Sequence, residues 1–494
     1  MEIHLDPSKI EDYHKFLKIK SIPCYRIRGR TAFIPDEYAG MLGESAVAAP
    51  VAKYSPLSAM FDYQRDITAM AIEKRKFSVF ARCGLGKSLI LMDYAKHAAD
   101  CLPKRKKVLI IDPLMVIPQM QEECERWYGN DLAIRQVRSN EINEWLSGGD
   151  GQIGITNYEA IDRVVDRGEL GALILDESSQ LKAISGKHAT KCIELGRGLE
   201  WKLALTGTPA PNDRIEYANH AVFMDQFRTT NEFLARYFIN RGETQNRWEI
   251  KPHALKPFYR DLSHWCIFLN NPATYGWKDN SAPLPPIHTH FHHVEMTDEQ
   301  YHAIRKVTGN ISVTTSGGIG QRGKLAQISK GHLGKEKIPT NKPEFIRELI
   351  ASWPDESTIV WCKYNPEQEY LASILPNVAD ISGSTPHEKR MELIADFKAR
   401  RRMTLSSKPD ILGFGLNLQV ATRQVFSTCM DSFEDWWQCV CRSNRTGSTL
   451  PLNVHIPMTE AEAPMVDNVM RKAKRVEQDI EEQEYIFKEM RLCC

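Results

Sequence analysis

The sequence predicts an α/β protein built from two parallel-sheet units, with an irregular, partly helical insert between them. Three observations carry this prediction. Short β-branched or aliphatic runs alternate with polar or amphipathic stretches over residues 77–206 and again over 358–456, the pattern of parallel strands flanked by helices. From about residue 226 the alternation stops and prolines accumulate, at Pro252, Pro257, Pro272, Pro283, Pro285 and Pro286. The length of 494 residues also suits about three domains at roughly 150 residues each.

Taken in order, residues 1–50 read as a small accessory element that includes the basic stretch Cys24 to Arg30. Residues 51–225 form the first unit, with strands expected at Phe77–Ala81, Val108–Asp112, Ile153–Thr156, Leu173–Leu175 and Leu203–Thr206. Residues 226–342 form the insert. Its end, from Tyr301 to Lys342, carries Arg305, Lys306, Arg322, Lys324, Lys330, Lys335, Lys337 and Lys342 against the single acid Glu336, together with Ser-Gly-Gly-Ile-Gly at 316–320. This reads as a basic surface, partly flexible, suited to nucleic acid. Residues 343–460 form the second unit, with strands at Thr358–Cys362, Val378–Ser382, Met403–Ser406, Gln424–Ser427 and Asn453–Ile456. Residues 461–494 are expected as a helix, apolar positions spaced among charges of both signs.

Composition narrows the function. With 64 basic and 63 acidic residues, a protein that coats nucleic acid by bulk charge is excluded, and local charge must supply any such contact. No stretch approaches the ~18 apolar residues of a membrane span, and the start Met-Glu-Ile-His-Leu-Asp lacks a secretory signal; a cytoplasmic protein without a membrane partner is expected. The 12 cysteines contain no Cys-x-x-Cys spacing, which suits reduced thiols better than zinc or disulfides.

The chemistry starts with Ala81-Arg-Cys-Gly84-Leu-Gly86-Lys87-Ser88, directly after a strand and before a helical run. Small residues let backbone N–H groups curl around phosphate oxygens at a helix N-terminus, while Lys87 neutralises the outer phosphates and the Ser88 hydroxyl holds Mg²⁺. The run Ala172-Leu-Ile-Leu ends in Asp176-Glu177, which puts one carboxylate on the Mg²⁺ shell and the next where it can deprotonate a water. Thr206-Gly-Thr-Pro209 closes another strand and offers hydroxyls beside the γ-phosphate. In the second unit, Arg442 and Arg445 stand three apart in Gln438-Cys-Val-Cys-Arg442-Ser-Asn-Arg445-Thr-Gly447. On a helix they would share a face and could reach one γ-phosphate. Leu412-Gly-Phe-Gly415-Leu-Asn417-Leu has glycines spaced for close backbone approach to a ribose or phosphate.

These five motifs, in their order along the chain (phosphate loop, Asp176-Glu177, Thr206 to Pro209, Leu412 to Leu418, Gln438 to Gly447) within residues 55–460, resemble the superfamily 2 helicases of the Swi/Snf type, most of all the compact versions encoded by tailed phages and prophages. The resemblance implies two RecA-like lobes that clamp ATP and Mg²⁺ between them and move on a nucleic-acid track. By position it makes Gln64 the adenine reader and places Gly84, Gly86, Lys87, Ser88, Asp176, Gly415 and Gln438 on the nucleotide and its metal. Glu177 becomes the catalytic base, and Arg442 and Arg445 the arginine fingers. Asp112-Pro-Leu-Met, Ser382 to Pro386 and Ser407-Lys408-Pro409 fall where such motors touch the sugar-phosphate backbone. The chain departs from the pattern at Arg82-Cys83, where relatives often carry acids, at Ser179, where many carry His, and at Cys439 and Ser448.

The expected function is an ATP-dependent DNA helicase or translocase with little base specificity. An RNA-dependent motor shares the same ATP chemistry, and a non-motor ATP sensor is the alternative from another class; Glu177, Arg442 and Arg445 favour a working motor. His288, His290, His292 and His293 alternate as a metal site might, yet no carboxylate or cysteine nearby completes a ligand set, so a solvated linking strand is the expectation. Trp436-Trp437 reads as helix packing.

Overall fold

The computed structural model describes residues 2–22, 25–34, 42–43, 53–242, 248–278, 284–309, 319–413, 416–427, 432–445 and 448–491. The chain divides into two compact units, Met1–Asn280 with Gln478–Cys494, and Ser281–Glu477.

The first unit opens with strands β1 (Glu2–His4), β2 (Arg26–Arg28) and β3 (Thr31–Phe33), an antiparallel sheet of order β1-β3-β2. The helix Ile10–Ser21 packs on it through Ile19. Then come β4 (Lys76–Ala81), β5 (Lys107–Ile111), β6 (Ile134–Gln136), β7 (Ile153–Thr156), β8 (Leu170–Leu175), β9 (Trp201–Thr206), the hairpin of β10 (Phe238–Asn240) and β11 (Trp248–Ile250), and β12 (Cys266–Leu269). Seven of these strands form one sheet, β12-β4-β9-β8-β5-β7-β6, with every pairing parallel.

The central strands are apolar on both faces because both faces are covered. Val108, Ile110, Ala172 and Ile174 enter the core under the helix Lys87–Cys101. Leu109, Ile111, Leu173 and Leu175 point to the opposite core, with Tyr217, Phe223 and Phe258. The proline-dotted segment is thus shared between the units: its early part adds β12 beside β4, and its later part belongs to the second unit.

The second unit contains β13 (Ile287–His293), the short hairpin β14 (His332–Leu333) and β15 (Glu336–Lys337), then β16 (Thr358–Trp361), β17 (Ala379–Ile381), β18 (Thr404–Ser407), β19 (Arg423–Phe426) and β20 (Leu452–Met458). Its parallel sheet runs β13-β20-β19-β16-β18-β17. Strand β13 is, as expected, a largely exposed strand, and it joins the second unit's sheet as its edge. His290 and His292 stack on His455 of β20, with ring centroids 4.7 and 5.3 Å away.

The basic segment also differs from the expectation of an unbroken charged surface. Arg305, Lys306, Lys324, Lys335 and Lys337 are exposed. Lys330 and Lys342 are buried, and both hold Glu462, at 2.6 and 2.7 Å. The cause is the packing of the helices Asp298–Thr308 and Ile319–Ser329 around Ala461 and Met465, which encloses the three charges. The stretch 310–318, which includes part of the glycine-rich run, lies outside the described residues. The final helix, Ala463–Arg491, buries Val466 and Val469 in the core of the second unit's sheet and Phe487 in that of the first. Among the described residues no helix is long and apolar enough to cross a membrane.

Candidate active site

The site is assembled at the C-terminal edge of the first unit's sheet, where loops leave β4, β5, β8 and β9. In open parallel sheets this edge is where ligands bind. Residues 82–86 turn the chain from β4 into the helix that starts at Lys87. Gly84 and Gly86 lie in the left-handed region, at φ 89° and 68°, conformations that a residue with a Cβ adopts only at a cost. Lys87 Nζ donates to Ala81 O at 2.8 Å, across the turn. Ser88 follows, part-exposed in the first turn of the helix.

Gln64 is buried against this loop. Its Nε2 donates to Leu85 O at 3.2 Å, and its Oε1 accepts from Phe61 N–H at 2.8 Å, which caps the helix Asp62–Lys74. A Cβ on Gly86 would land on Gln64 Nε2. The structure thus brings the expected adenine reader into contact with the phosphate loop.

Asp176 and Glu177 leave β8 two strands away. Asp176 N–H donates to Ile111 O at 2.8 Å, and Tyr158 OH donates to Asp176 O at 2.6 Å, so the turn is tied on both sides. Burial and the neighbouring Glu177 push the Asp176 carboxyl up to about 6, with Lys87 pulling the other way. Glu177 has φ 45°, the left-handed region for a residue with a Cβ, a local strain often found at functional sites. Its Oε1 accepts from Thr206 Oγ1 at 2.8 Å and from Ser179 Oγ at 3.3 Å. Thr206, at the end of β9, also accepts from Thr208 N–H at 3.1 Å. Gly207 closes the arrangement: a Cβ there would stand 3.5 Å from Cys83 Sγ and 3.7 Å from Lys87 Nζ.

Three motifs separated in sequence therefore meet at one place. Sequence reasoning placed Thr206 beside the nucleotide but missed that its hydroxyl holds Glu177, and it missed Ser179 as a second donor. It also missed the fixing of Ser178, whose Oγ lies 3.1 Å from Nε2 of the buried His220.

The second unit carries the remaining expected residues. Gln438 and Arg442 lie on the helix Phe433–Ser443, both buried, with Arg442 Nε donating to Gln438 O at 3.0 Å. Arg445 does not share a helix face with Arg442. The helix ends at Ser443 and Asn444 takes extended backbone, φ −95° and ψ 90°, while its side chain donates to Pro285 O at 2.7 Å. Ser and Asn side chains compete with helical hydrogen bonds in this way. Arg445 sits beyond, its N–H donating to Ser448 Oγ at 3.3 Å. Gly415 and Gly447 lie outside the described residues.

Of the expected track residues, Asp112 is fully buried, so its side chain cannot lie on a polymer. Ser407 is buried too, its Oγ donating to Ile381 O at 2.8 Å. Trp436 is buried among Phe426 and Phe433, the packing role expected of it.

Comparison with known proteins agrees with this geometry. The model of the SNF2-related domain matches residues 80–349, more than half of the chain. The chain belongs to the SNF2-related domain family. Within that family a second model, the helicase conserved C-terminal domain, matches residues 341–447. This SNF2-related chain is a nucleic-acid-dependent ATPase, with domains that bind nucleotide.

It is 21% identical over 466 residues to protein p41 of Acyrthosiphon pisum secondary endosymbiont phage 1, covering 85% of this chain and 96% of that protein. It is 25% identical to the DNA repair and recombination protein RAD54-like of Gallus gallus, over 36% of this chain and 24% of the relative. With the ATP-dependent helicase fft1 of Schizosaccharomyces pombe it shares 29% identity over 26% of this chain and 14% of the relative. The chain thus spans nearly all of p41 but a quarter or less of the other two. A Sulfolobus solfataricus SWI2/SNF2 ATPase core in complex with dsDNA aligns with 83% of this chain and 90% of its own, at a TM-score of 0.41 and 19% identity.

Proposed function

We propose that this SNF2-related ATPase is stimulated by DNA and converts ATP hydrolysis into translocation along it. The observation that carries the reading is the meeting of Lys87, Asp176 and Glu177 at one sheet edge, with the Glu177 carboxylate held by Thr206. A protein that only senses ATP has no use for an oriented water-activating carboxylate.

The residues fit magnesium and ATP. Two glycines in the left-handed region shape a turn whose backbone can approach phosphate oxygens, and a carboxyl raised by burial and by Glu177 is one that a divalent cation stabilises in charged form. In this reading Gln64 borders the adenine, Gly84, Gly86 and Lys87 hold the phosphates, and Ser88 and Asp176 hold Mg²⁺. Bound Mg-ATP supplies an electrophilic γ-phosphoryl group and its leaving group. Glu177, aimed by Thr206 and Ser179, accepts the proton of the attacking water.

One observation favours DNA over RNA as the track: a relative is named for DNA repair and recombination. The exposed cations Arg305, Lys306, Lys324, Lys335 and Lys337 offer contacts to the phosphates of either polymer, without base readout.

The test is phosphate release measured without polymer and with single-stranded DNA, duplex DNA or RNA, for the native protein and for Glu177→Gln. DNA should stimulate the native protein. Glu177→Gln should lose about 10²-fold or more in rate and keep its ATP affinity. Equal rates in all four conditions would sink the motor reading, and a larger response to RNA would replace it with an RNA-dependent motor.

A further inference from the structure

Asp112 has a place in the site that the track assignment does not explain. Strands β5 and β8 are parallel neighbours in register, with Ile111 opposite Leu175. The next residues, Asp112 and Asp176, therefore leave the sheet side by side. By the two-residue period of a strand they continue the face of Val108, Ile110, Ala172 and Ile174, which packs under the helix that begins with Lys87 and Ser88.

Asp112 is 0% exposed, and neither carboxylate oxygen has a hydrogen-bond partner among the described residues. Its N–H is used by the sheet, donating to Thr156 O at 2.9 Å, so the backbone accounts for the position but not for the acid. The residues before it, Val108 to Ile111, are all apolar, and an apolar residue at 112 would bury at lower cost. The charged groups acting on Asp112 are Asp176, Glu177 and, from the helix Ile117–Tyr128, Glu123, all of its own sign; with burial they push its carboxyl well above the usual range. A buried polar group left without a partner calls for an explanation, an ion among them.

We propose that Asp112 is a positioning residue for the divalent cation that accompanies the nucleotide, accepting a hydrogen bond from a water in the cation's coordination shell while Asp176 holds that shell from the neighbouring strand. This rests on the reading of the site as a magnesium-nucleotide site. Among the described residues no group of three His, Cys, Asp or Glu side chains is arranged to hold a metal ion, and the proposal accordingly gives Asp112 a water-mediated place rather than a direct ligand bond. Groups at that distance orient the ligands and commonly set metal affinity by 10- to 100-fold. The cation also resolves the energetic problem, since its two positive charges answer the repulsion among Asp112, Asp176 and Glu177.

The experiment uses the full chain and a fluorescent ADP analogue, titrated with Mg²⁺. Asp112→Asn keeps the shape and removes the charge. The Mg²⁺ concentration for half-maximal ADP binding should rise about tenfold or more, while ADP affinity in EDTA stays within about twofold and the thermal midpoint in EDTA is equal or higher. A purely structural Asp112 would instead lower the midpoint and weaken ADP binding equally with and without Mg²⁺. That result, or an unchanged Mg²⁺ requirement, overturns the proposal. Should Asp112→Asn not fold, Asp112→Ser carries the same test. If the native protein binds ADP with no Mg²⁺ dependence, or Lys87→Ala binds as well as native, the magnesium-nucleotide reading itself has failed, an outcome distinct from a native protein that responds to Mg²⁺ and an Asp112 variant that responds identically.

Discussion

The contact between Gln64 and the phosphate loop can be tested by a double-mutant cycle. Gly86 has φ 68° and ψ 41°, where a residue with a Cβ costs roughly 1–2 kcal/mol. An alanine Cβ there also lands on Gln64 Nε2. The carboxamide must move, and because it is planar it gives up both of its hydrogen bonds, to Leu85 O and from Phe61 N–H. At about 1 kcal/mol each, Gly86→Ala should cost about 3 kcal/mol in total. Gln64→Ala should cost about 2 kcal/mol through the same two bonds, and the double variant about 3 kcal/mol, since the clash is gone and the strain remains. The singles thus sum to about 5 kcal/mol against about 3 for the pair, a coupling of about 2 kcal/mol. The assay is urea unfolding of the four proteins followed by tryptophan fluorescence, with fluorescent ADP binding alongside. Additivity within about 0.5 kcal/mol would show that Gln64 does not buttress the loop.

Two further tests address the second unit. Glu462→Gln leaves Lys330 and Lys342, whose side chains are 1% and 2% exposed, without their carboxylate; breaking a buried ion cluster costs about 3–5 kcal/mol, so the unfolding midpoint in urea should drop, and an unchanged midpoint would mean the triad is relaxed by water. Stability should also fall with acid. Burial and the neighbours His290, His292 and Arg423 push His455 down to about 3, with Glu356 opposing. A histidine with a depressed folded value stabilises above its unfolded value of about 6.5 and loses that contribution as pH falls toward 3. At about 1.4 kcal/mol per pH unit, roughly 2 kcal/mol is gone by pH 5. Urea midpoints between pH 7.5 and 5 should show this slope in the native protein and a shallower one in His455→Phe; equal slopes would refute it.

Much of this was legible because parallel strands buried on both faces appear as unbroken apolar runs. Val108 to Ile111 and Leu173 to Leu175 are such runs, and Lys87, Asp176 and Thr206 follow the ends of strands whose order in the sheet brings them together. The edge strands were harder to read. β13 reads as a solvated strand and is largely exposed; what its sequence does not show is that it pairs with β20, where His455, far along the chain, stacks on it. Lys330 and Lys342 looked like surface charge for the same reason, since their partner Glu462 lies more than a hundred residues away. Local competition hid another feature: the spacing of Arg442 and Arg445 matched a helix face, but Ser443 and Asn444 between them end the helix. The motif Asp112-Pro-Leu-Met does not tell which of its residues is buried: Asp112 is enclosed beside Asp176 while Leu114 is exposed.

The serines after Glu177 bear on how the site works. By the resemblance, Ser179 stands where the Swi/Snf-type pattern has a histidine, a side chain that can hold a charge as well as a hydrogen bond. Here the Glu177 carboxylate is held by hydroxyls from two directions, Ser179 from its own turn and Thr206 from the end of β9. Hydroxyl donors orient the carboxylate without placing a formal positive charge on it. The histidine that is present, His220, lies behind Ser178 and not on Glu177, and burial pushes it down to about 4, so it stays neutral at pH 7. Thr206 begins the turn whose Gly207 lies beside Cys83 and Lys87, so the threonine that holds the proposed catalytic base also adjoins the phosphate loop.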